Sequence, residues 1–292
     1  MSENKKVLLA FIAVSFFWGS TYLAIKVAVE DQPPLFLASI RFIVAGLIIL
    51  GYAKYKKVKF PETKNIMKMS LVGLFLVLGG NGFVVFAEQT IDSGVASLVV
   101  STVPLFMVIF EVLVFRTAKI SLFGISGILL GFVGVYYLIS PHNIGDIDSL
   151  GAMMVVGAAL SWAFGSVYSK TIKSKDTMVS GIGIQMLAGG IGQGVVSMIL
   201  GEYNDINFTV NSTLALIYLL VFGSLVAYSS YIYVLSKWPA SKAGTYAYIN
   251  PIVALILGYL LLNEPLSLRI VVSMTMILVA VFIVQKSKIR ST

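Results

Sequence analysis

Four ionisable side chains stand inside or at the edge of long apolar stretches: Lys26, Arg41, Glu88 and Glu111. Arg41 lies in PLFLASIRFIVAGLIIL, a stretch from Pro34 with no other charge. An ionisable group at the centre of a membrane helix costs about 2.5–3.5 kcal/mol on insertion scales, so it normally faces a cavity or a partner. A guanidinium can hold an anion, and a buried carboxylate can pair with a cation or carry a proton. The chemistry these residues offer is therefore holding and moving charged solutes. Groups for bond-breaking chemistry are scarce. There is no cysteine, and the single histidine, His142, sits in a polar loop. That excludes thiol nucleophiles, disulfides, histidine metal clusters and a Ser-His-Asp triad. GGNG at Gly79 and GGIGQG at Gly189 resemble phosphate-loop fragments. Neither is followed by Lys-Ser or Lys-Thr and both lie in apolar runs, so helix packing is the expected role. No enzyme activity, cofactor or metal is expected.

The elements that hold these residues are read from composition. The chain has 292 residues, 58% hydrophobic and only 12% charged, against roughly 25% charged in a soluble domain. A spanning helix needs about 20 mostly apolar residues. Ten such runs occur, approximately 7–29, 34–53, 69–88, 94–115, 121–139, 150–169, 178–200, 212–235, 243–262 and 269–285. They are too long and too continuously apolar for barrel strands. The first follows Lys5 and Lys6 but is too long for the apolar part of a signal peptide, so it is read as a retained span. Expected, then, is an all-α integral membrane protein in the plasma (inner) membrane.

Placing the N-terminus in the cytoplasm puts all but three of the 21 lysines and arginines in cytoplasmic segments, leaving Lys26, Arg41 and Arg269. The opposite segments hold acids, among them Glu30, Asp31, Asp92, Asp146, Asp148, Glu202, Asp205 and Glu264. This partition predicts ten spans with both termini cytoplasmic. The net charge of +8 is then a matter of orientation, with no nucleic-acid partner.

The chain repeats itself. SFFWGSTY at Ser15 matches SWAFGSVY at Ser161, IRFIVAG at Ile40 lies over IQMLAGG at Ile184, and Pro104 matches Pro251. The order is kept, at offsets of 146, 144 and 147. Five spans per half is an odd number, so the halves, 1–145 and 146–292, insert with opposite orientation. Inverted repeats are a transporter design, with substrate bound near the midplane at their interface.

AEQTIDSGVASLVVSTVPLFMVIFEVLVF from Ala87 resembles the third-to-fourth-helix signature of the EamA group of the drug/metabolite transporter superfamily. WGSTYLAIK at Trp18, Arg41-Phe42, IQMLAGG and NPIVALILGYLLLNEPLS resemble its other motifs, in the right order over nearly the whole chain. The resemblance implies a ten-helix transporter of two EamA repeats with a central cavity, moving metabolites such as amino acids. Two departures stand out. Glu264 follows the ninth helix, whereas the matching turn in the first half reads Arg116-Thr117-Ala118-Lys119. The glycines of the fifth helix (Gly124, Gly127, Gly131, Gly134) have no counterpart in the tenth.

Helix geometry nominates the site. Ser15, Trp18, Gly19, Tyr22 and Lys26 share one face of the first helix, with Trp18 and Tyr22 expected to line the cavity. Arg41 and Glu88 stand at similar depth, where they form either a structural salt bridge or a gate with Lys26 at the outer mouth. Ser101, Pro104 and Glu111 form a polar stripe on the fourth helix. Glu111 is either a partner of Arg116 or Lys119 or a proton-coupling carboxylate. Asn81, Trp162, Gln185, Tyr228, Tyr248 and Asn250 complete the expected contacts, and Pro251 is paired with Pro104 as a gating position.

The leading expectation is a secondary transporter, an exporter of small organic metabolites, working by alternating access. Two alternatives are a flippase for lipids or lipid-linked sugars, and a membrane-embedded lipid-modifying enzyme. The enzyme is disfavoured because the chain has no Asp-Asp-x-x-Asp for magnesium.

Overall fold

The computed structural model describes residues 2–140, 148–172, 177–287 and the backbone of 290–291. His142, Asp146, Lys173, Lys175, Lys288 and the expected repeat boundary at 145–146 lie outside the described residues. Ten helices are long and apolar enough to cross a membrane. They are α1 Glu3–Val29, α2 Pro34–Tyr55, α3 Thr63–Ala87, α4 Ser93–Val114, α5 Leu122–Ile139, α6 Ser149–Ser169, α7 Met178–Ile199, α8 Val210–Lys237, α9 Ala240–Leu262 and α10 Leu268–Lys286. The protein is an all-α integral membrane protein. Helix α3 begins at Thr63 rather than at residue 69 because a polar turn carrying Lys64 and Lys68 precedes its apolar part.

The two halves interleave. Helix α1 packs on α8 and α9, and its counterpart α6 packs on α3 and α4. Helix α2 lies along α7, and α5 along α10. Glycine sets the α2–α7 distance. A Cβ on Gly46 would come within 2.9 Å of the Leu187 backbone nitrogen, and one on Gly190 within 2.9 Å of the Ile43 nitrogen. The GGIGQG stretch is thus a packing surface. Of the α5 glycines, Gly127 and Gly134 face Ile277, Ile283 and Val284 on α10, Gly131 meets Leu105 and Ala280, and Gly124 meets Ile120 and Ser287. The pattern is absent from α10 because α10 supplies the bulk that those glycines accept.

Four helices are irregular, in two counterpart pairs. Helix α3 widens into π-helical turns over Leu74–Asn81 and α8 over Leu219–Tyr228. Helix α4 breaks at Ser101–Thr102, and Pro104 starts its second segment. Helix α9 passes through a 3-10 turn, Gly244–Tyr248, just before Pro251. A proline cannot donate to the helix ladder, so each break falls where the ladder is already weakened. Because π turns are wider than α turns, they re-aim the side chains at their ends, and such turns are frequent at functional sites.

Candidate functional site

The π turns of α3 and α8 end at Asn81 and Tyr228, and both line a cavity at the centre of the bundle. Its walls also carry Trp18, Tyr22, Arg41, Trp162 and Asn250. Seven of the expected contacts thus meet there. Tyr246, offered by the second half as a candidate, joins them, and so do Phe42 and Thr21, which were not expected as contacts. The cavity measures about 70 Å³, well below the roughly 300–1,000 Å³ of typical ligand pockets. The walls are drawn together around it.

Aromatic rings make most of the wall. Trp18 and Trp162, 144 residues apart, meet edge to face with centroids 5.1 Å apart. Trp18 also meets Tyr246 at 4.9 Å, and Trp162 meets Tyr228 at 6.2 Å. The Trp18 indole donates to the Gly223 carbonyl at 3.0 Å, which fixes the ring against α8. The Asn250 amide, in the orientation that suits its neighbours, donates to the carbonyls of Ser15 at 2.9 Å and Tyr246 at 3.2 Å. It ties α9 to α1 at the start of the cavity wall.

The polar groups of the two halves differ. Arg41 and Gln185 are repeat counterparts, as are Asn81 and Tyr228. In the second half the pair is closed, since the Tyr228 hydroxyl donates to Gln185 Oε1 at 3.0 Å. In the first half the pair is open. Arg41 is 3% exposed, and among the described residues neither its Nε nor Asn81 Oδ1 has a hydrogen-bond partner. The guanidinium lies 4.6 Å from the Phe42 ring centroid, a cation–π contact that leaves its donors unused.

A second, larger cavity of about 360 Å³ lies beside the basic end of the protein, between Met69, Lys170, Met178, Tyr233 and Lys237. Gln185 lines this vestibule while Tyr228 lines the central cavity, so their hydrogen bond joins the walls of both.

Each end is fastened by a lysine and a glutamate. At the acidic end, Lys26 Nζ donates to the carbonyls of Glu88 at 2.8 Å and Ile91 at 2.9 Å, closing the end of α3. There Glu264 accepts from Ser93 N at 2.8 Å, Ser93 Oγ at 2.9 Å and Gly94 N at 3.1 Å, capping α4. At the basic end, Lys170 Nζ donates to the carbonyls of Leu235 at 2.8 Å and Trp238 at 2.9 Å, closing the end of α8. The Glu111 carboxylate faces the backbone N–H groups of Ala240 and Ser241 and the Ser241 hydroxyl, at the start of α9. Lysine belongs at helix C-termini and glutamate at N-termini, where each meets unpaired backbone groups and the favourable end of the helix dipole. Burial holds Lys170 below the ordinary lysine range, opposed by Glu111.

Several expected contacts lie elsewhere. Ser101 is buried and donates to its own helix at Leu98 O; Val100 and Val103 take the cavity side of α4 because the break before Pro104 turns the helix. Tyr248 packs beside Leu105, Val108, Val281 and Val284, since the 3-10 turn rotates it away. Glu88 is not part of the cavity wall. Among the described residues, Arg41 and Glu88 do not form the expected salt bridge: both Glu88 oxygens are buried without a partner. Lys26 meets Glu88 through its backbone carbonyl, not through its carboxylate.

The comparisons agree with this architecture. The profile of the EamA-like transporter family matches twice, over residues 5–140 and 149–285. The uncharacterized inner membrane transporter YedA of Escherichia coli (strain K12) is 38% identical over 260 residues, covering 88% of this chain and 83% of that one. An uncharacterized transporter of Archaeoglobus fulgidus is 30% identical over 291 residues, 97% of this chain and 100% of its own. A WAT1-related chloroplastic protein of Arabidopsis thaliana, At3g02690, is 29% identical over 285 residues, 94% of this chain and 68% of its own. One crystal structure superposes with a TM-score of 0.71 at 17% identity, covering 97% of this chain and 98% of the other, a likeness of fold. With both halves matched and ten spans arranged as interleaved inverted repeats around one cavity, the chain belongs to the EamA-like transporter family.

Proposed function

We propose that this protein is a secondary transporter of the inner membrane that carries small organic solutes bearing a carboxylate, amino acids foremost, through the central cavity by alternating access. The observation that carries the reading is the contrast between the two polar pairs. Gln185 and Tyr228 satisfy each other, whereas Arg41 and Asn81 face the same cavity with unused hydrogen-bonding atoms. A buried guanidinium whose Nε has no hydrogen-bond partner among the described residues costs free energy that an arriving carboxylate offsets through charge-assisted, two-point hydrogen bonding. Flat rings of Trp18, Trp162 and Tyr246 suit the apolar part of such a solute. The cavity is too small to hold one as it stands, so loading requires the clamps at one end to release. The direction assigned is efflux down the solute's own gradient, with both termini in the cytoplasm so that the lysine-rich end faces it.

A thermal-shift screen of the purified protein with matched pairs tests the reading. L-Phenylalanine should raise the unfolding temperature, and phenethylamine, which lacks the carboxylate, should not. Stabilisation by the amine and not by the acid contradicts it.

A further inference from the structure

Glu88 lies in the turn between α3 and α4, outside both spans, and is 0% exposed. Neither carboxylate oxygen has a hydrogen-bond partner among the described residues. A carboxylate buried in this way is costly to keep ionised unless charges compensate it. Charged and titratable groups act on it from three neighbouring elements, while Asp148 at the start of α6 is engaged by Thr90 of the same turn. The groups acting on it are Lys26 and Tyr22 on α1, Arg41 on α2 and Glu264 beyond α9. Lys26 and Arg41 favour the ionised form and Glu264 opposes it. Burial outweighs them and holds the carboxyl well above the usual range.

The placement gives this group two further properties. Its own carbonyl is held by Lys26, so the turn that carries Glu88 is the turn the acidic-end clamp releases. Its counterpart in the other half, the residue whose carbonyl Lys170 holds, is Leu235, which cannot titrate. Only one of the two clamped turns carries a proton acceptor.

We propose that Glu88 is a proton-binding site that competes with the solute for Arg41. When the carboxyl is neutral, Arg41 is free for a solute carboxylate. When the proton leaves to water at the acidic end, the Glu88 carboxylate attracts Arg41 and weakens its hold on the solute. Proton and anionic solute then favour each other's binding by the same factor, as linkage requires. The competition with solute rests on the proposed transport function; proton binding at Glu88 does not.

Infrared difference spectroscopy of the purified, reconstituted protein separates the two. Titrated without solute from about pH 5 to about pH 10, the protein should lose a protonated-carboxyl band that Glu88→Gln lacks throughout. Glu88→Gln is a neutral isostere of the protonated form and should fold normally. Arg41→Gln removes a cation that favours ionisation and should move the midpoint of that band upward, by about one pH unit. The proposal is overturned if Glu88→Gln removes no band, if the band persists unchanged across the range, or if Arg41→Gln leaves its midpoint in place. Because no transport is read, a protein that moves none of the chosen solutes would still pass or fail this test.

Discussion

Lys26 and Lys170 make the same pair of bonds at opposite ends of the protein. They stand 144 residues apart in sequence. Lys26 holds the carbonyls of Glu88 and Ile91; Lys170 holds those of Leu235 and Trp238, each 147 residues further along. Each lysine ends the first helix of its half and closes the last turn of the third. Beside each, a glutamate that follows or ends one broken helix caps the start of the other: Glu264 caps α4, and Glu111 faces the start of α9. The inverted repeat thus produces two equivalent fastenings, one per side of the membrane. Both are made in this structure, and the cavity between them is correspondingly small.

Breaking one fastening should open one side only. The chain has no cysteine, so Val84→Cys places a single label in the cavity wall without further engineering. Adding Lys26→Met should raise its reaction with a membrane-impermeant maleimide from the acidic side. Lys170→Met should raise it from the basic side. Each removes two charge-assisted hydrogen bonds worth about 1.5–3 kcal/mol apiece, so a rise of about tenfold or more is expected. Equal reaction from both faces in either variant would mean that the lysines do not gate.

The Glu264 cap can be weakened in two steps. Glu264→Ala leaves the buried N–H groups of Ser93 and Gly94 without an acceptor, at a cost of about 1–3 kcal/mol. Glu264→Gln loses the charge near the helix N-terminus, about 0.3–1 kcal/mol, and one of the two acceptor oxygens, but keeps the other for a backbone N–H of Ser93 or Gly94. Thermal unfolding in detergent should therefore rank wild type above Gln and Gln above Ala. A Gln variant as unstable as Ala would mean that one acceptor oxygen alone contributes nothing to holding α4.

The Gln185–Tyr228 bond should act as a partition. Tyr228→Phe removes the hydroxyl and leaves the ring, costing about 1 kcal/mol of stability. It should connect the vestibule to the central cavity, where Trp18 and Trp162 make up two of the three tryptophans. Collisional quenching of tryptophan fluorescence by acrylamide should increase relative to wild type. Unchanged quenching would place the barrier elsewhere.

Much of this was legible in the sequence, and the reasons for what was not are physical. Ten spans follow from length and apolarity, but the first-helix match at an offset of 146 sets Trp18 opposite Phe164, whereas the cavity pairs Trp18 with Trp162, 144 residues on. The depth of Arg41 and Glu88 was readable at 1.5 Å per residue, but whether two side chains meet depends on helix rotation. The π turns alter that rotation without any marking residue, and Pro251 marks the break in α9 but not the direction of its turn, which is why Tyr246 and not Tyr248 lines the cavity. Glu111 as the partner of Glu264 was hidden for another reason. The turn after α4 reads Arg116 to Lys119 and holds no acid; Glu111 lies inside the helix, on a π-helical turn at Phe110–Val114. Both acids and both lysines act on backbone groups, and a backbone partner leaves no trace in a residue list.

Counterflow into proteoliposomes is the most direct measurement of what Arg41 is for. Vesicles preloaded with L-phenylalanine should accumulate the labelled amino acid, while phenethylamine should not exchange. Arg41→Gln should reduce exchange about 10- to 100-fold, the loss expected from about 1.5–3 kcal/mol of charge-assisted hydrogen bonding, with its thermal unfolding unchanged or higher. Exchange by Arg41→Gln at the wild-type rate, or movement of the amine as readily as the acid, would contradict the assignment of Arg41 to the solute's carboxylate.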